Sequence, residues 1–240
     1  MEKFFRYLGH KAGPGIRKGK WIYNSFFADK EKALESEHLV GKELSLKVFA
    51  EYQAINDAHT VEILENTHQQ LVRCLTNKKR KFEFRVINSE ELNAFALPGG
   101  FIFITGGLLN LCKDEPGQMA YIFSHEIMHV ILKHPLNRIL SNFSLKVLEN
   151  FVRTRGAVGG LAKQAITGFL RNGYSQENEL EADRYAIQLM LYAGFDKQAA
   201  IEVLRKLEDV STKRSELFNY FSSHPSIEDR ITNIQRQPND

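Results

Sequence analysis

The run SHEIMH, Ser124 to His129, sets two imidazoles four residues apart with a carboxylate beside the first. At 100° per residue on an α-helix, His125 and His129 lie about 40° apart on one face, so both can offer a ring nitrogen to one Zn²⁺. Glu126 then flanks the metal, where a carboxylate can take a proton from an activated water and deliver it to a leaving amine. That is the metallopeptidase reading of H-E-x-x-H. The surrounding residues, MAYIFSHEIMHVIL, are almost continuously apolar. All three polar groups are therefore expected inside the protein, where they must find partners, and a metal would satisfy them together.

A third protein ligand must come from elsewhere. The extended metzincin pattern needs Gly at 132 and His at 135, and this chain has Leu132 and Pro135. His134, continued along the same helix, falls about 140° away from His129 and reads as a capping or surface residue. The gluzincin alternative draws a carboxylate from a later helix, with Glu149, Glu177, Glu179 and Glu181 as candidates. A ligating histidine also needs an acceptor on its other nitrogen, so a Glu followed one turn later by an Asp is preferred. Glu179 with Asp183 meets that condition, Glu177 with Glu181 is the fallback, and Glu149 is followed by Arg153.

The elements that must carry these groups follow from periodicity. Asp29 caps a helical pattern reaching about Asn56, and a second begins after Asp57. Lys81 to Asn88 alternates as a strand with Phe82, Phe84 and Val86 on one face, and Phe101 to Thr105 reads as a second strand of the same small sheet. Leu92 to Cys112 is uncharged, but Pro98 and the pairs Gly99-Gly100 and Gly106-Gly107 break it, which excludes a membrane-spanning helix there. A helix through Gln118 to Lys133 carries the histidines and is expected to close at Pro135. Ser175 caps a helix ending at Gly194, Asp196 caps another reaching Val210, and Ser226 opens the last. The glycines between Arg153 and Ser175 suggest a lid over the site.

With 240 residues, 43% of them hydrophobic and 25% charged, the chain fits one globular domain. A net charge of +3 is too small to argue for nucleic acid. Cys74 and Cys112 cannot form a disulfide scaffold and read as two buried thiols. The charge is concentrated in residues 1–27, where Lys3, Arg6, Lys11, Arg17, Lys18 and Lys20 face Glu2 alone among many aromatics. Such an arm, residues 1–28, can pack on its own domain or lie on an anionic membrane surface. No signal peptide is visible, so a cytoplasmic, at most peripherally membrane-bound, protein is expected.

Four segments together resemble peptidase family M48, which includes HtpX-like, Oma-type and prenyl-protease members. They are NAFALPGGFIFITGGLL (Asn93 to Leu109), SHEIMHVILKH (Ser124 to His134), ENELEADRYA (Glu177 to Ala186) and SHPSIEDRI (Ser223 to Ile231). The resemblance implies an α+β, mostly helical zincin-like (gluzincin) domain over residues 29–240, with a small sheet and an active-site edge strand. It implies one zinc per chain held by His125, His129 and Glu179, with Glu126 as general base and acid and Asp183 supporting a ligand from behind. His224 and Arg230 match positions near the oxyanion, and His224 could instead cap the zinc in a resting state. Gly99, Gly100, Phe101, Ile102, Phe103 and Ile104 are expected to pair with an extended polypeptide substrate. Met128 stands where the family usually has a small residue, and the membrane spans of HtpX-like members are missing, which favours the Oma-like branch. The activity implied is zinc-dependent endoproteolysis of unfolded or membrane-associated proteins in quality control. The alternative is a zinc-containing peptide-binding or chaperone-like protein that does not cut.

Overall fold

The apolar periodicities become helices in a computed structural model that describes residues 30–55, 58–112, 115–142, 173–211, 224 and 227–238. The first two are α1 (Lys30–Glu51) and α2 (Ala58–Cys74). Strands β1 (Glu83–Ile87), β2 (Ala94–Leu97) and β3 (Phe101–Thr105) follow, with a 3-10 turn, Pro98–Gly100, between the last two. Then come α3 (Gly106–Cys112), α4 (Pro116–Ile131), α5 (His134–Asn142), α6 (Gln176–Tyr192), α7 (Gln198–Ser211) and α8 (Ile227–Arg236). The result is α+β and mostly helical. The arm of residues 1–28, Ser226 and nearly all of the expected lid lie outside the described residues.

The sheet has the order β1-β3-β2, with β1 parallel and β2 antiparallel to β3. This corrects the expectation that Gly99 to Ile104 form an edge. Both sides of β3 are hydrogen-bonded to neighbours, and Phe101 to Thr105 are all buried, so that strand cannot accept a further one. The strand at the end of the sheet beside α4 is β2, whose four residues are too few and too uniformly apolar to show an alternating pattern.

Alternation sorts the sheet's side chains between two cores. Phe95, Leu97, Phe101 and Phe103 join Val40, Leu44 and Val48 of α1 and Ile139 of α5. Ala94, Ala96, Ile102 and Ile104 face the larger core built on α2, α4, α6 and α7. The small Ala94 and Ala96 let α4 approach β2 closely. From Gln118 to Val130 every residue of α4 is buried, Met128 included, as expected of a helix that is apolar all round and forms the centre of a domain.

Local chemistry sets the ends of these elements. Ser175 Oγ accepts the Asn178 N–H at 3.3 Å, and Gly194, at φ 85°, takes the left-handed conformation that ends α6. Pro135 does not close the motif helix as expected. That helix ends at Ile131, Lys133 takes a φ of 62°, and Pro135 lies in the first turn of α5, where its missing N–H costs no helical bond. Cys112 is buried as expected, but Cys74 is exposed at the C-terminal end of α2.

Two predictions follow from the packing. A Cβ built on Gly41 of α1 would lie 1.8 Å from the carbonyl oxygen of Pro98. Gly41→Ala should therefore lower stability by about 1–3 kcal/mol or more, read as a fall in Tm. His68 is buried between the rings of Phe84 and Phe123, with centroids at 5.3 and 5.4 Å, and neither ring nitrogen has a hydrogen-bond partner among the described residues. Burial pushes its pKa down against a weaker upward pull from Glu65. The unfolded chain then binds the proton more readily, so stability falls as pH drops from about 6.5 through the folded-state value. Denaturant midpoints of the wild type and His68→Leu, compared between pH 7.5 and 5, should show a shallower acid loss in the variant. Parallel profiles would refute this.

Candidate metal centre

The face of α4 that carries the motif meets the buried face of α6. His125, Glu126 and His129 come from α4 and Glu179 from the first turns of α6, all fully enclosed. The open alternatives for the third ligand separate by burial: Glu179 points inward, whereas Glu177 and Glu181 are exposed. Glu149 lies outside the described residues.

His125 Nε2, His129 Nε2, a Glu179 carboxylate oxygen and a His224 ring nitrogen converge. His125 Nε2 lies 2.9 Å from His129 Nε2 and 3.4 Å from Glu179 Oε2, and His129 Nε2 lies 3.3 Å from Glu179 Oε1. His224 Nδ1 adds a fourth corner, 3.0 Å from Glu179 Oε1 and 3.3 Å from His125 Nε2. A tetrahedral ion with bonds of about 2.0–2.1 Å would need corner separations of about 3.3–3.4 Å. The donor set, three nitrogens and a carboxylate oxygen, is also one that zinc accepts. The residues therefore fit a metal ion.

Behind these atoms stands a second set of buried groups. His125 Nδ1 donates to Asp183 Oδ1 at 2.8 Å, leaving Nε2 as the lone pair that faces the cluster. Asp183 is held by Arg230 through Nε at 2.7 Å and Nη2 at 2.9 Å, and by the Tyr121 hydroxyl at 2.7 Å. Arg230 Nη1 also reaches Glu179 Oε2 at 3.1 Å. This differs from the expectation that Arg230 flanks the oxyanion. Its guanidinium is fully buried beside Asp183, Glu179, Tyr121 and His125, behind the converging atoms.

The charges set the protonation states. Burial raises the Glu179 pKa, but His224, Arg230, His125 and His129 overcome it and hold the carboxyl well below the usual range. Asp183 is likewise held down, chiefly by Arg230 and His125 against burial. Burial and Arg230 pull His125 down, yet Asp183 and Glu179 prevail and push it up to about 9. A site that attracts a proton so strongly attracts a metal cation for the same electrostatic reason. Burial, helped by the Glu179 charge, pushes Glu126 up against His224, His125 and Arg230. Its Oε2 has no hydrogen-bond partner among the described residues.

Three participants were not foreseen. Tyr121 precedes His125 by one turn, so its place on the same face was readable from spacing. Tyr174, just before the cap of α6, stacks on His129 with centroids 4.1 Å apart, and Arg138 lies 4.4 Å over its other side; a loop residue gives no periodic signal. His134 was read as a capping or surface residue, but it is buried with Nδ1 2.9 Å from His129 Nδ1. The helical extrapolation failed because α4 has already ended.

The family model for peptidase family M48 matches residues 58–237. The beta-barrel assembly-enhancing protease of Escherichia coli is 32% identical over 199 residues, 77% of this chain and 40% of that protein. The mitochondrial metalloendopeptidase OMA1 of Schizosaccharomyces pombe is 30% identical over 156 residues, 65% of this chain and 46% of that protein. The OMA1 of Arabidopsis thaliana is 32% identical over 145 residues, 60% of this chain and 29% of that protein. The chain thus spans less than half the length of these relatives. With three quarters of its residues matched by the family model, and the motif histidines among them, the chain belongs to peptidase family M48.

Proposed function

We propose that the chain is a zinc-dependent, zincin-like endopeptidase whose described conformation is latent. The observation that carries this reading is the convergence of His125, His129, Glu179 and His224 beside the unpartnered oxygen of Glu126. Zinc held by the first three would acidify a water and polarise a peptide carbonyl. Glu126, whose Oε2 has no hydrogen-bond partner among the described residues, would take the proton from such a water, and its raised pKa suits a group that would then give the proton to the leaving amine. Asp183 and Arg230 keep His125 and Glu179 from turning away.

His224 supports the latent reading. Its Nδ1 fills the fourth corner, while its Nε2 lies 3.6 Å from Glu126 Oε1 and 3.4 Å from the Ala94 carbonyl oxygen. One imidazole thus stands where both water and substrate must enter, which favours a blocking role over oxyanion stabilisation. The Ala94 contact ties it to β2, the end strand. Withdrawal of His224 would free the ligand position and that backbone at once, so an extended polypeptide could pair with β2 rather than with β3. The substrate class that fits is an unfolded or locally extended chain, since strand pairing reads backbone more than side chains.

Metal content and cleavage of unfolded casein test these statements. Glu126→Gln should keep one zinc and lose hydrolysis by about two orders of magnitude or more, and wild-type-like turnover would overturn the mechanism. His224→Ala should keep zinc and cut faster than the wild type. A His224→Ala protein that is slower or inactive would refute latency. Zinc-loaded wild type and His224→Ala that both bind casein and never cut it would favour the non-cleaving reading.

A further inference from the structure

His125 and His129 are supported in different ways. Behind His125 is a buried carboxylate clamped by a guanidinium and a phenol. Behind His129 is another imidazole: its Nδ1 lies 2.9 Å from the Nδ1 of His134, whose Nε2 lies 3.5 Å from Glu181 Oε2. Two facing Nδ1 atoms can share only one proton, so the tautomers of the two rings are linked. If His129 Nε2 is to present a lone pair to the cluster, its Nδ1 carries the proton and donates it. His134 Nδ1 is then the acceptor, and the His134 proton sits on Nε2, directed at Glu181.

Resting on the metal-centre reading above, we infer that His134 is a positioning residue: it accepts the Nδ1 proton of His129, donates its own Nε2 proton toward Glu181, and thereby holds His129 Nε2 toward the metal. The backbone is arranged for this. The α4 helix stops at Ile131, Lys133 reverses the path in a left-handed conformation, and α5 starts with His134 turned back onto His129. Lys133 is itself tied to α1 through Glu37, 3.4 Å away. Tyr174 stacks on the plane of His129, so the ring has a plane set by stacking and an in-plane rotation set by His134. Glu181 is half exposed, with 49% of its side chain accessible. The outer end of this chain of groups therefore reaches water, unlike the sealed Asp183 behind His125.

The test is zinc affinity, measured by competition with a chromophoric chelator, for the wild type, His134→Leu and His134→Asn, with folding followed by thermal melts. His134→Leu removes the acceptor and should weaken zinc binding about 10- to 100-fold. His134→Asn can place an oxygen near the former Nδ1 position and should recover most of that loss. Nitrogen-15 spectra of the zinc-loaded wild type should show His134 protonated on Nε2 and His129 on Nδ1. Unchanged affinity in a folded His134→Leu protein, or a His134 protonated on Nδ1, would overturn the inference. Should His134→Leu fail to fold, the wild-type tautomer decides. Failure of the wild type itself to bind zinc would instead refute the metal-centre reading.

Discussion

Everything near the centre of this protein depends on compensating buried charge. Glu126, Glu179 and Asp183 are enclosed with Arg230 as the fully buried cation beside them. Removing one partner from such a buried set costs about 3–5 kcal/mol, because the charge left behind can neither leave nor be hydrated. Arg230 comes from α8, Asp183 and Glu179 from α6, Tyr121 and His125 from α4. One guanidinium therefore fastens three helices far apart in sequence, and the motif helix has its rotation about its own axis fixed by an ion pair rather than by apolar packing alone.

Much of this was readable from residue order. Two histidines one turn apart must share a face, and a glutamate followed one turn later by an aspartate offers a ligand and its support on another. The burial of MAYIFSHEIMHV, Met119 to Val130, followed from composition, although Ile131 is exposed. The sheet was less legible. β1 was visible by its alternation and β3 as a run of apolar β-formers, but β2, the strand that makes β3 central, was not. The four residues of β2 carry no alternation, and being central or at the edge is a matter of partners, not of the strand's own sequence. His134 was misplaced because periodicity assumes that a helix continues, and a single left-handed residue, Lys133, ends that assumption. Arg230 was assigned by position in a motif, while its direction is set by the carboxylates that surround it.

The division of the sheet's side chains explains how a short strand can lie so near the ligands. Alanines on the α4 side of β2 keep the separation small, and phenylalanines on the other side supply the apolar area that holds the strand in place. The Ala94 carbonyl can therefore meet an imidazole that also touches the ligand cluster. Larger residues at Ala94 or Ala96 would move the strand away from the His125, His129, Glu179 and His224 cluster without replacing any of its members.

The aromatic side of the sheet is covered by α1, which packs through Gly41 onto the Pro98–Gly100 turn and whose Glu37 binds Arg80 at 2.8 Å and Lys133 at 3.4 Å. Yet the family model begins only at residue 58, after α1 has ended. The matched range thus leaves out a helix on which the aromatic side of the sheet packs. A fragment trimmed to the matched residues would expose Phe95, Leu97, Phe101 and Phe103 to water. In this chain, the helix that precedes the matched residues belongs to the core.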